Sequence, residues 1–361
     1  MTAVHRGVPD RVPIDLHGES WVLDRLRDEL GTPTHRELLE HLHCDVVDLR
    51  YLVDPTYRGP VPFSRDLPGG VRESFWGWRV KRVMGASGPA ETYVDFPLAG
   101  ATTIEELERH PWPTPDWFDF SDFRERLGPW RDFAVMATNV SVFQHPSFVR
   151  GFDELLMDMA LAPEMAEFVF DRFTDFYLGY FDRMLSAADG RIDILRQGDD
   201  LGTQTGPLIS PEMFRTYLKP RIAQFVDLAH SHGVAFMYHS CGAIRPFVED
   251  LIEVGIDILD PLQAAAAGME AQALKDAYGD RVCLHGAIDT QYLLPQGTPS
   301  EVAAEVGRLI EILGAGGGYV LAPCHVLQAD VPTANVLAMR DATLAYRYQD
   351  GVPVARSSVA D

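Results

Sequence analysis

Three side chains carry the sharpest chemistry in this chain: His239 and Cys241, within His239-Ser240-Cys241-Gly242, and the distant Cys324. The first pair closes the apolar run 234–238, which reads as a buried strand ended by a glycine turn. On an extended strand, residues two apart project to the same side, so an imidazole nitrogen and a thiolate can be offered to one point. Cys324 closes a second strand-like run, 319–323, that follows Gly316-Gly317-Gly318. Catalytic zinc takes three protein ligands of the N/S type and keeps a fourth position open. His239, Cys241 and Cys324 fill that description. The competing reading is that both cysteines only pack, as buried free cysteines usually do.

Elements able to position such a site recur along the chain. Strand candidates fall at 11–16, 45–51, 133–140, 192–196, 234–238, 256–260, 282–285 and 319–322, and helical stretches separate most of them. Strands alternating with helices imply parallel βαβ units, and eight of them suggest a closed (β/α)8 TIM-type barrel with an N-terminal extension. Residues 53–100 break this rhythm with prolines, glycines and the aromatic cluster Phe75, Trp76 and Trp78, and predict an insertion with its own β-ribbon that either covers the barrel mouth or only elaborates the surface. Thr103-Ile104-Glu105-Glu106 predicts a capped short helix, and Pro163 should open the second of two helices within 152–187.

Barrel enzymes work at the C-terminal ends of their strands. Asp199, Asp200, His239, Cys241, Gln263, His285, Asp289, Cys324 and His325 all fall there. Asp199, Asp200 and His285 are the acid–base candidates; either aspartate could instead bind backbone amides at a helix entry. His17, Glu19, Asn139, Arg196, Gln204, Tyr238 and Gln263 are candidates for the substrate pocket, and the last four could equally be satisfied polar groups at the rim. Asp289 reads as a helix cap. His325, one residue from Cys324, points the other way on a strand.

Composition narrows the partners. A formal net charge of -22 works against nucleic-acid binding and leaves a small molecule or a protein. No apolar run approaches the roughly 18 residues of a membrane span. Four scattered cysteines are no disulfide framework in a chain of this length, the N-terminal stretch lacks the apolar core of a secretory signal, and a reducing cytoplasm is expected.

Several stretches together resemble the uroporphyrinogen decarboxylase superfamily: Pro9-Asp10-Arg11-Val12-Pro13, Gly198-Asp199-Asp200-Leu201-Gly202-Thr203-Gln204, Ser210-Pro211-Glu212-Met213-Phe214, His239-Ser240-Cys241-Gly242, His285-Gly286-Ala287-Ile288-Asp289-Thr290-Gln291 and Val331-Pro332-Thr333-Ala334-Asn335. The resemblance implies a single barrel over 1–361. Authentic decarboxylases grip their acidic porphyrinogen with an arginine-rich N-terminal stretch, whereas this chain reads Asp15-Leu16-His17-Gly18-Glu19, which argues against that substrate. The His-X-Cys with a distant Cys resembles the zinc-dependent, corrinoid-linked methyltransferase branch. That likeness implies Zn2+ on His239, Cys241 and Cys324, with Asp199, Asp200 or Glu19 near the fourth position. It also implies methyl transfer from a methyl-corrinoid (cobalamin) to a small-molecule thiol or similar acceptor. The sequence around Cys324 departs from the coenzyme M enzymes, so the acceptor need not be coenzyme M. No Asp-X-His-X-X-Gly segment is present, so the corrinoid is expected on a partner protein. Two alternatives remain open: a decarboxylase-like lyase or demethylase acting on a small acidic molecule with Asp199, His239 and His285 as acid–base groups, and a non-catalytic corrinoid-binding or scaffold barrel.

Overall fold

The computed structural model describes residues 1–85 and 88–356, together with all their side chains except that of Asn139. Seven parallel strands form one sheet in sequence order: β1 (Val46–Asp48), β2 (Ala134–Val140), β3 (Ile194–Gly198), β4 (Ala235–His239), β5 (Ile258–Leu262), β6 (Cys283–Ile288) and β7 (Tyr319–Pro323). Residues 13–15 close the circle between the two edges. On one side Asp15 N donates to Leu321 O at 2.9 Å and Leu321 N donates to Pro13 O at 2.9 Å; on the other, Asp45 N donates to Ile14 O at 2.8 Å. This eighth stave is too short to be a regular strand, but it completes the TIM-type barrel expected from the sequence.

The period of two along each strand divides the side chains into two populations. Val47, Val135, Leu195, Phe236, Tyr238, Leu259, Leu284 and Leu321 face outward into the core shared with the surrounding helices. Val46, Met136, Ile194, Met237, Ile258 and Val320 point into the barrel and form a separate apolar layer with Ala3 and Val4. Two residues further along the same inward face stand Asp48, Arg196, His239, Asp260 and His285, with Asp15 on the closing stave. An apolar layer thus lies beneath a polar one, and the polar one is at the C-terminal ends.

Within the insertion, strands Ser64–Leu67, Val71–Ser74, Arg79–Gly85 and Gly88–Asp95 make an antiparallel sheet in that order. Trp76 anchors it by stacking on Phe173 of helix Pro163–Ala188, centroids 4.2 Å apart. Tyr93 stacks on Phe148 at 3.8 Å, just beyond β2, while the Arg82 guanidinium lies 5.6 Å over Trp21 of helix Ser20–Leu30. These contacts, one beyond β2 and one beyond the closing stave, carry the sheet along one side of the barrel mouth. Thr103 caps Glu106 N as expected, and Pro163 opens its helix. No described helix is long and apolar enough to cross a membrane.

Candidate metal centre and the cavity above it

The loops after β3 and β4 are locked to each other by their backbones. Asp199 N donates to His239 O at 3.0 Å, Leu201 N to Ser240 Oγ at 2.9 Å and Ala243 N to Thr203 O at 2.8 Å. So close an approach requires glycine on both sides: a Cβ on Gly242, whose φ is +85°, would fall 2.5 Å from the carbonyl carbon of Gly202, and one on Gly202 would fall 2.6 Å from Cys241 O. The consequence is that Asp200 is set against the β4 turn, where its Oδ1 accepts from Cys241 N at 3.1 Å. Gln144 Nε2 donates to its other oxygen at 3.3 Å.

His239 Nε2 then lies 3.5 Å from Asp200 Oδ1 and 3.6 Å from Cys241 Sγ. Among the described residues these three form the one group whose potential ligand atoms all lie within 4.8 Å of one another. Nitrogen, sulfur and carboxylate oxygen are the donors zinc takes. The opposite ring nitrogen, Nδ1, meets Asp260 Oδ2 at 2.6 Å, the outer hydrogen bond usual for a metal-ligating histidine. The donor set fits a zinc ion. Burial opposes ionisation of Asp200, yet His239 and the Cys241 amide hold its carboxyl well below the usual range.

The polar layer continues as a chain of alternating carboxylates and imidazoles. Asp260 Oδ1 meets His285 Nδ1 at 2.7 Å; His285 Nε2 meets Asp15 Oδ2 at 3.0 Å; Asp15 Oδ2 also meets His17 Nε2 at 2.9 Å. Arg196 Nε donates to Asp260 Oδ2 at 3.0 Å, and Arg50 Nε lies 2.8 Å from Asp48 Oδ2. Both His285 nitrogens face carboxylates, so the ring is an imidazolium: burial alone would lower its pKa, but Asp260 and Asp15 raise it to about 9. Arg50, Arg196 and His285 thus offset Asp48, Asp260 and Asp15. In the absence of a metal, burial opposes the charge on His239, yet Asp260 and Asp200 on either side of it likewise hold its pKa well above the ordinary value.

Above this layer opens a cavity of about 580 Å³, whose wall includes His17, Glu19, Arg50, Arg196, Asp200 and His239. Residues 128–346 match the model of the uroporphyrinogen decarboxylase (URO-D) family. The chain belongs to this family. Among solved structures, a methyltransferase from Methanosarcina mazei shares 20% identity over 95% of this chain and 96% of its own, with a TM-score of 0.67; at that identity the likeness is one of fold. A sugar phosphate isomerase/epimerase from Parabacteroides distasonis, 12% identical over 93% of this chain and 96% of its own, reaches a TM-score of only 0.37, too low to carry an argument. A search of the curated proteins finds no match.

Against this uroporphyrinogen decarboxylase framework the expected site residues divide. His239, Cys241 and Asp200 meet, and His17, Glu19, Arg196 and His285 line the cavity beside them. Cys324 lines it too but stands outside the donor group: its Sγ donates to Leu262 O at 3.1 Å, and burial pushes the thiol up. Asp199 is wholly buried and accepts from Ser141 Oγ, Gln197 Nε2 and the amides of Val142, Phe143 and Gln144, so its carboxylate ties down the loop after β2 and does not face the cavity. Tyr238 is corrected: on β4 it alternates with His239 and therefore points outward, fully buried in the core around the barrel. Gln204 and Gln263 are corrected as well. Gln263 Oε1 accepts from Gly242 N at 2.7 Å and its Nε2 donates to Gln204 Oε1 at 3.1 Å, so the pair braces the β4 turn and lies outside the cavity wall. The Asn139 side chain lies outside the described residues. Asp289 caps the amides of Gln291, Tyr292 and Leu293, as expected.

Asp15, Asp48, Asp260 and Arg50 were not expected at the site. Each is charged and lies within a strand candidate, and the three aspartates share the inward parity of His239. His145 is a further addition to the wall, a neutral ring that burial lowers to about 4, with Nδ1 hydrogen-bonded to Tyr177 Oη.

Proposed function

We propose that this protein is a zinc-dependent methyltransferase that moves a methyl group from a methyl-corrinoid, carried by a partner protein, to a thiol or similar small acceptor. The observation that carries the reading is the Asp200–His239–Cys241 donor group, of which Asp200 and His239 form part of the wall of a cavity. His239 and Cys241 would hold the ion with Asp200. Cys324, on the same wall, would join them by releasing the Leu262 carbonyl. Zinc would supply there a Lewis acid that favours the thiolate form of an acceptor near neutral pH, without redox change. Gln144 and the Cys241 amide orient Asp200. The fold shared with the Methanosarcina mazei methyltransferase supports a transferase. The carrier protein would dock over the strand ends, where the insertion exposes Met84 (78%) and Val94.

The test is zinc content of the purified wild type, Cys241→Ala and Cys324→Ala, followed by transfer from methylcobalamin to a panel of thiols. We expect about one zinc per chain in the wild type, lost in Cys241→Ala and reduced in Cys324→Ala. Zinc-free wild type, or zinc indifferent to Cys241→Ala, overturns the proposal.

One observation favours a second reading, a lyase acting on a small acidic molecule without corrinoid. Arg50 and Arg196 are each tethered through Nε, and among the described residues their Nη groups have no protein partner while both side chains line the cavity. Such forks suit a carboxylate. A zinc-free protein that releases CO2 from a carboxylic acid would establish it.

A further inference from the structure

Asp260 is the middle residue of β5, on its inward face, and is 4% exposed. Three donors converge on it: His239 Nδ1 at 2.6 Å and Arg196 Nε at 3.0 Å on Oδ2, and His285 Nδ1 at 2.7 Å on Oδ1. We propose that Asp260 is the positioning residue of the metal centre. It holds His239 in the tautomer and orientation that aim Nε2 at Asp200 and Cys241, and it is itself held by the chain through His285 to Asp15. The inference rests on reading the Asp200–His239–Cys241 group as a metal site.

To ligate a metal an imidazole must give up one proton and keep the other. With that proton on Nδ1 and given to Asp260, the lone pair is on Nε2, 3.5 Å from Asp200 Oδ1 and 3.6 Å from Cys241 Sγ. Asp260 has no freedom to turn away, because both of its oxygens are engaged and the far nitrogen of His285 is gripped by Asp15 at 3.0 Å. Asp15 is in turn tied to His17 at 2.9 Å. Four residues, spread over the closing stave, β6 and β5, thereby fix the ring on β4.

Asparagine at 260 has the shape of aspartate but only one acceptor oxygen for three donors. Its NH2 must then face a donor. Because the Arg196 Nε–H cannot be given up, the amide oxygen stays toward His239 and Arg196 and the NH2 faces His285 Nδ1, which must lose its proton. His239 then donates to a neutral amide in place of a carboxylate, and its Nε2 becomes a poorer donor.

The experiment titrates cobalt(II) into metal-free, full-length protein and follows its visible absorption, with circular dichroism as the check on folding. Asp260→Asn is expected to fold, to bind cobalt about 10- to 100-fold more weakly and to show altered cobalt bands, because mutating the outer partner of a metal-ligating histidine costs affinity on that scale. Asp15→Asn, two links further along the chain, should lose less. A purely structural role would lower stability and leave the cobalt spectrum of the folded protein unchanged. Nitrogen-15 NMR of the wild type gives an independent readout: the neutral form of His239 should carry its proton on Nδ1. Cobalt affinity and bands in folded Asp260→Asn equal to those of wild type overturn the inference and leave the metal site standing. If the wild type takes up no cobalt, the metal reading fails and the inference with it; if Asp260→Asn does not fold, the tautomer decides, with a proton on Nε2 in the neutral form overturning the inference.

Discussion

Replacing Gly242 by alanine tests whether the contact between the β3 and β4 loops assembles the donor group. Its φ of +85° is a conformation that costs a residue with a Cβ about 1–2 kcal/mol. The new Cβ would also fall 2.5 Å from Gly202 C and 2.6 Å from the carbonyl oxygens of Gly202 and Thr203, all backbone atoms that no side-chain rotation can move aside. Overpacking of this kind adds about 1–3 kcal/mol, for a total of about 2–5 kcal/mol. Gly31→Ala is the control: its φ is +67°, but no atom lies within 4 Å of the added Cβ, so only the conformational cost of about 1–2 kcal/mol applies. For 361 residues the entropy of unfolding is about 0.8 kcal/mol per degree, so Gly31→Ala should lower Tm by about 1–3 °C and Gly242→Ala by about 3–6 °C. Because Cys241 N and Asp200 Oδ1 are joined across the same contact, Gly242→Ala should also weaken zinc binding, whereas Gly31→Ala should not. Thermal unfolding and competitive chelator titration read the two effects. Equal Tm losses in the two variants, with unchanged zinc affinity, would refute the steric argument.

Asp199→Asn should lower stability by about 2–3 kcal/mol, because one carboxylate with several buried donors becomes an amide with a single acceptor oxygen, and zinc content should survive if its role is to hold the loop after β2. Loss of zinc in a folded, destabilised variant would assign it more. His285 tests the polar layer through pH. Its folded pKa of about 9 is above the ordinary 6.5, so its contribution, on the order of 3 kcal/mol, is fully present below pH 6.5 and is lost as pH rises through 9. Denaturant unfolding of wild type and His285→Gln at pH 6 and pH 9.5 should show the gap between them closing at the higher pH; a gap independent of pH would contradict the imidazolium.

The barrel was legible because its strands are short β-branched runs between helices, and the hydrogen bonds of a parallel sheet leave little choice about their order. The closing stave was legible too, as the run around Ile14, although nothing in its sequence shows that it pairs through so few backbone bonds. Tyr238 was misplaced for a reason the sequence itself contained. If His239 faces the interior of the barrel, its neighbour cannot. Applying that parity to every strand would also have found Asp15, Asp48 and Asp260, each of which looks unexceptional as an acidic residue in a strand candidate. Asp199 and Asp200 are adjacent, alike in type and opposite in task, and only the tertiary positions of the β2 and β4 loops distinguish them. The Gln204–Gln263 brace likewise depends on a meeting of two loops that no local pattern encodes.

The two layers inside the barrel bear on why the polar one exists. Val46, Met136, Ile194, Met237, Ile258 and Val320 show that this lumen can be filled with apolar side chains, and such packing avoids the desolvation of buried ions. Two residues higher, on the same inward face, the chain instead places Arg196, His239 and His285 among Asp15, Asp48 and Asp260, with Arg50 reaching Asp48 from the rim. Replacing a buried ion network by apolar groups is often neutral or stabilising, so stability alone gives little reason for this layer. What distinguishes it is what it presents upward. The groups it leaves facing the cavity are His239 Nε2, beside Asp200 and Cys241, and the free ends of Arg50 and Arg196. The carboxylates and His285 are accounted for as the fixtures of those groups, and their function is at the cavity they support.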